Sequence, residues 1–176
     1  MKPQNLLIVL AIALLVVIPQ TFYVVDQTQI AIVTRFGEYQ KTSSNPGLKF
    51  KTPFAEQVTK FDNRLLRVDA APASILTADK RNLVIDSYAR YRIVDPLQFL
   101  KTVQAIPTAL SRMDDIVYSE LRRELGTHDM VEIITENREQ LMEEVTEASN
   151  LATMEYGISV IDVRIRRVDL PSENEE

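Results

Sequence analysis

Few residues of this 176-residue chain are placed to do chemistry. The single histidine, His128, stands beside Asp129, and the pair invites comparison with half of a catalytic triad. A triad needs a base and an orienting acid that face each other, plus a positioned nucleophile, and sequence neighbours rarely face one another. Both residues follow a helix-stop signal at Gly126, where Thr127 and Asp129 are the residue types that cap a following helix. Asp114 and Asp115 are adjacent within a helical pattern and project about 100° apart, which makes them a poor acid/base pair. The absence of cysteine removes disulfides, thiolate metal sites and a cysteine nucleophile, and one histidine leaves no multi-histidine zinc site. No phosphate loop, nucleophile elbow or carboxylate metal loop is present. The sequence offers no catalytic, cofactor-binding or metal residues, and no cofactor is expected.

Charge is arranged more pointedly. Glu139, Glu143 and Glu147 recur every fourth residue and make an acidic stripe on one helix face. Like charges at that spacing cost roughly 0.2–0.5 kcal/mol per pair. The stripe reads either as a solvated face or as a docking edge between subunits, with Arg164, Arg166 and Arg167 on the last strand as candidate counter-charges. A second pattern lies in Leu48-Lys49-Phe50-Lys51 and on to Phe54. Apolar residues alternate there with lysines, as where rings enter a membrane interface and amines meet anionic head groups. The same alternation is what a half-buried strand shows. Leu48, Lys49, Phe50 and Phe54 are therefore candidates for membrane contact.

The elements that must hold these residues begin with an anchor. Residues 1–25 contain one side chain charged at neutral pH, Lys2, whereas the rest carries 19 Lys/Arg against 25 Asp/Glu. That acidic balance excludes a nucleic-acid binder, which would show a basic stripe. Leu6 to Ile18 is an unbroken apolar run of thirteen residues. Continued through Val25 it gives 20 residues, about 30 Å of helix, the thickness of a bilayer core. Gln20, Thr21 and Phe22 offer no small-x-small cleavage pair, so the segment is expected to stay as a signal-anchor transmembrane helix. A short N-terminal tail before a long body favours the body outside the cytoplasm.

Beyond the anchor, Gln29–Phe36 reads as a strand ending at Gly37, and Asn45-Pro46-Gly47 as a tight turn. Leu48–Lys51 and Val58–Val68 continue the strand pattern. Residues 78–82 form a polar hairpin loop, whose second arm, Leu83–Ile93, alternates cleanly. Asp95-Pro96 opens the helical part. Ile106, Leu110, Met113, Val117, Leu121 and Leu125 recur at helical spacing, with Gly126 as the stop. Asn137 and Gln140 resemble a capping box for a helix to Tyr156, ended by Gly157. The last strand, Ile158–Leu170, changes apolar phase twice, the mark of bulges. The order is strands, helices, closing strand: an α+β fold behind a membrane anchor. The expected divisions are 1–25 anchor, 26–95 strand-rich half, 96–171 helical half with its closing strand, and 172–176.

Taken in order, QIAIVTRFGEYQ, NPGLKFKTPFAEQVTKFDNRLLRVD, TADKRNLVIDSYARYRIVDPLQF, SELRRELGTHDMVEIITENREQL and YGISVIDVRIRRVDLP resemble the SPFH (band 7) family of stomatins, prohibitins and flotillins. VIDSYARYRI, LRRELG and GISVIDVRIRRVDLP are most similar to its HflC-like branch. The resemblance implies a non-enzymatic scaffold in the bacterial inner membrane, single-pass, with its SPFH domain in the periplasm. It also implies assembly with a HflK-like subunit around an FtsH-like AAA+ protease, whose access to membrane proteins the assembly restricts, and contact with membrane lipids. The alternatives are a stomatin- or prohibitin-like membrane organiser without such a protease, and a membrane-anchored hydrolase. Family members continue into a long coiled-coil helix where this sequence reaches 172–176, so that helix is expected to be truncated or missing.

Overall fold

Strand β1 (Phe22–Val25) occupies residues that the sequence assigns to the end of the transmembrane helix. Its aromatic and β-branched residues suit a strand as well as a membrane span, and pairing decides between them. β1 lies antiparallel to β4 (Gly47–Phe50), with Phe22 opposite Phe50 and Val25 opposite Gly47. The structure, a computed structural model, describes residues 15, 17–134 and 138–169. Residues 17–21 are helical, so the span predicted over 6–25 ends no later than Thr21, and its residues 6–14 and 16 lie outside those described. Among the described residues no helix is long and apolar enough to cross a membrane.

The chain divides into two compact units between Arg64 and Leu65, ahead of the boundary expected at residue 95. In the first, β2 (Gln29–Arg35) is flanked by β3 (Glu38–Ser43) and β5 (Glu56–Asp62), both antiparallel. Asp26 turns the chain from β1 into β2: its carboxylate accepts from the Thr28 amide and hydroxyl, both at 2.9 Å. Tyr23, Val25, Ala31 and Val33 form a small core, with Val58 packed against it. A bend at Asn45 delivers the chain into β4, which takes in Gly47, the last residue of the turn expected at 45–47.

The second unit is a sheet with helices on one face. β8 (Asn82–Ile93) is its spine. One edge of β8 pairs with β7 (Ala73–Leu76) and β6 (Leu66–Asp69), and the other with β9 (Ile158–Asp169), all antiparallel. Alternation is strict: Leu83, Ile85, Ser87, Ala89, Tyr91 and Ile93 are all buried. β9 carries two register shifts, which leave Ile161 and Arg166 as the extra residues. Those are the two places where its apolar phase slips, so the bulges keep Val160, Val163 and Ile165 on the core side.

Helix α1 (Pro96–Thr102) starts as predicted, with Asp95 accepting from the Leu97 and Gln98 amides. Helix α2 (Ile106–Leu125) buries Ala109, Met113, Val117, Leu121 and Leu125, one stripe at three- and four-residue spacing. Gly126 closes it with φ −68°, so its role there is close approach, not left-handed backbone. Helix α3 (Met130–Ile134) is short; α4 (Arg138–Met154) buries Leu141, Met142 and Val145 and lies against β9. Asn137, half of the predicted capping box, lies outside the described residues.

β9 is an edge strand whose outer backbone groups need partners. Side chains of α4 supply them. Asn150 Oδ1 accepts from the Val160 amide and Thr146 Oγ1 from the Val163 amide, both at 3.0 Å, while Arg138 donates to the Ile165 carbonyl at 2.7 Å.

Candidate functional site

Two surfaces gather the charged and aromatic candidates. On the first unit, the β1–β4 ribbon turns Tyr23 and Val25 inward, and alternation sends Phe22, Val24, Leu48 and Phe50 outward. Phe22 and Phe50 meet edge-to-face at 6.2 Å between centroids. Leu48 is 67% exposed, so this ribbon presents an uncovered apolar face. Lys49 sits opposite Tyr23 on the other, half-buried face, apart from Leu48 and Phe50.

Two further rings stand on loop tips. Phe54 is 74% exposed at φ 65°, and Phe36, between β2 and β3, is 86% exposed at φ 51°. Left-handed backbone favours glycine and asparagine, and a bulky residue held there costs roughly 1–3 kcal/mol. Both tips line one cleft with Gln20 and Lys51. A charge staple fixes them: Arg35, the residue before Phe36, donates to Glu56 at 2.6 Å, and Glu56 also accepts the Thr52 amide at 2.8 Å. Those two hydrogen bonds, the Thr52 amide first, hold the Glu56 carboxyl below the usual range. Sequence reasoning named Leu48, Lys49, Phe50 and Phe54, and set Phe22 only at the end of the apolar span; it passed over Phe36 and Val24. The signal for Phe36 was an aromatic residue directly before the glycine of a strand–turn–strand.

On the second unit, Glu139, Glu143 and Glu147 line a groove of about 520 Å³ with Met142, Thr146, Ile161, Asp162, Arg90 and Arg164. Of the three candidate counter-charges only Arg164 reaches it. Arg164 is held by Asp162 at 2.8 Å, and the same carboxylate, 8% exposed, receives Arg90. Arg166 pairs with Asp69 and Asp86, and Arg167 with Asp169 at 2.6 Å. Among the described residues, no cation lies within ion-pair distance of the three glutamates.

His128 Nδ1 lies 2.9 Å from Glu132 one turn on, not against Asp129. The cap of α3 comes from elsewhere than expected: Asp79, in the β7–β8 loop, accepts the Met130 amide at 3.3 Å, while the Thr127 hydroxyl donates back to Glu124 at 2.7 Å. Hydrogen bonding from Thr77 holds the Asp79 carboxyl low. Among the described residues no group of His, Asp and Glu is arranged to hold a metal ion.

Known proteins place this architecture. The HflC protein of Treponema pallidum is 30% identical over 90% of this chain and 59% of its own length. That of Haemophilus influenzae is 30% identical over 89% of this chain and 57% of its own length. The modulator of FtsH protease HflC of Escherichia coli is 28% identical over 96% and 65%, respectively. The chain thus spans about three-fifths of the length of the curated relatives it matches. The SPFH domain / Band 7 family profile matches residues 23–176, the whole of the strand–helix–strand body, and the chain belongs to that family.

Proposed function

We propose that this chain is a non-enzymatic scaffold subunit of a bacterial inner-membrane assembly that modulates an FtsH-type protease, with a HflK-like subunit as partner and its SPFH domain in the periplasm. The observation that carries the reading is similarity along nearly the whole chain to relatives that include a modulator of FtsH protease. In this reading residues 6–21 anchor the chain, and Leu48, Phe50, Phe54 and Phe36 rest on the bilayer with Lys49 and Lys51 nearby. Charge supports that orientation: residues 26–64 hold six Lys/Arg against four Asp/Glu, and residues 65–176 hold thirteen against twenty-one. The basic, aromatic balance of residues 26–64 suits an anionic surface. The glutamate stripe and Arg164 mark a contact with a neighbouring subunit, with Arg166 and Arg167 beside it on the strand.

Membrane pull-down tests the reading. The full-length protein should bring down a HflK-like subunit and an FtsH-like protease. Alkaline phosphatase fused after Asp26 should be active; an inactive fusion would place the domain in the cytoplasm and favour a stomatin-like organiser.

A further inference from the structure

The outer face of α4 is divided by chemistry. Its four-residue row runs Glu139, Glu143, Glu147, Leu151, and Leu151 is 77% exposed with Met154 beside it, also exposed. The bulge of β9 adds Ile161, half exposed, to the groove that Glu143 and Glu147 line. One end of the surface is therefore acidic and the other apolar, over about 18 Å at 1.5 Å per residue. The acidic end is unbalanced because Asp162 already holds both groove arginines and acidic residues hold Arg166 and Arg167. The glutamates on α4 are thus the unpaired charges of this groove, and a basic partner is drawn to them.

We propose that this surface docks an amphipathic helix of a different protein, with Lys or Arg at i, i+4 and i+8 against the glutamates and apolar side chains against Leu151, Met154 and Ile161. A helix matches because equal pitch sets cations and carboxylates about 6 Å apart along both axes. The described helices of a second copy do not supply it. Among the described helices, α1 carries Lys101 alone, α2 carries Arg112, Arg122 and Arg123 at the wrong spacing, α3 has no Lys or Arg, and α4 has Arg138 alone. The inference deepens the proposal that the stripe is a subunit contact, and it is independent of the membrane and protease readings.

The test uses the full chain in a neutral detergent and a fluorescein-labelled 16-residue helical peptide with Lys at i, i+4 and i+8 and Leu at i+11 and i+12. Anisotropy should show saturable binding that weakens steeply with salt. Glu139→Gln/Glu143→Gln/Glu147→Gln should weaken it at least tenfold and remove the salt dependence. Leu151→Ser should weaken it several-fold with the salt dependence kept. All four positions face solvent, and an unchanged circular dichroism melt shows that the variants fold. Equal binding of a Lys→Glu control peptide, or binding unaffected by the triple variant, overturns the proposal. Self-association of the chain lost on the triple substitution also overturns it, in favour of a second copy, while the subunit-contact reading survives.

Discussion

Because the chain contains no tryptophan, any single Phe→Trp substitution creates one emitter, which makes the aromatic face directly measurable. Phe36→Trp and Phe54→Trp put that emitter on the two exposed tips. At 86% and 74% exposure each ring presents on the order of 150 Å². At about 25 cal/mol per Å², full transfer from water gives an upper limit near 4 kcal/mol per ring, and burial of half of each ring gives about 2. That is roughly a thirtyfold preference for the interface per ring, enough to hold both tips in lipid most of the time. In vesicles containing anionic lipid and brominated acyl chains, both variants should emit at short wavelength and be quenched. Leu151→Trp, on the second unit, should emit as in water and stay unquenched. Ile18→Trp, within the apolar run, reports whether the protein has inserted. If Ile18→Trp is quenched while Phe36→Trp and Phe54→Trp both emit as in water, the tips do not touch the bilayer.

Three further outcomes follow from the packing. Gly157→Ala should destabilise the protein by about 2–4 kcal/mol in urea unfolding, because φ is +72° and the new Cβ would sit 2.3 Å from the Asp95 carbonyl oxygen, disturbing the cap of α1. Asn150→Ala should cost about 1–3 kcal/mol by the same assay, since the Val160 amide and the Ser159 hydroxyl lose their acceptor. For Glu56, whose folded carboxyl is held low, the stabilising contribution is complete above its unfolded value near ~4.3 and is lost as pH falls through the folded one. Melting temperature should therefore fall as pH drops below the unfolded carboxyl's range, and Glu56→Gln should lower stability at neutral pH while flattening that fall.

Periodicity made much of this fold legible. The alternation of β8 and the stripe of α2 were plain because each buries one face, and even the bulges of β9 left a trace as phase slips at Ile161 and Arg166. What escaped depended on partners distant in sequence. Phe22–Val25 is apolar throughout and suits helix or strand equally; only pairing with residues 47–50 makes it β1. The glutamate stripe was visible, but the arginines expected to answer it were already engaged by Asp162, Asp69, Asp86 and Asp169. The cap of α3 comes from Asp79, some fifty residues upstream, where no local capping pattern would point.

The side chains of Asn150, Thr146 and Arg138 along β9 carry one more consequence. An open strand edge accepts any extended segment with free amides and carbonyls, whatever its sequence, and so invites indiscriminate growth of the sheet. Here Val160, Val163 and Ile165 have surrendered those groups to α4. A neighbour arriving at these three positions meets side chains in place of free backbone groups, so recognition there is chemical and selective, and it can be undone without unzipping a sheet. That keeps any contact on this flank exchangeable and stray unfolded chains unwelcome.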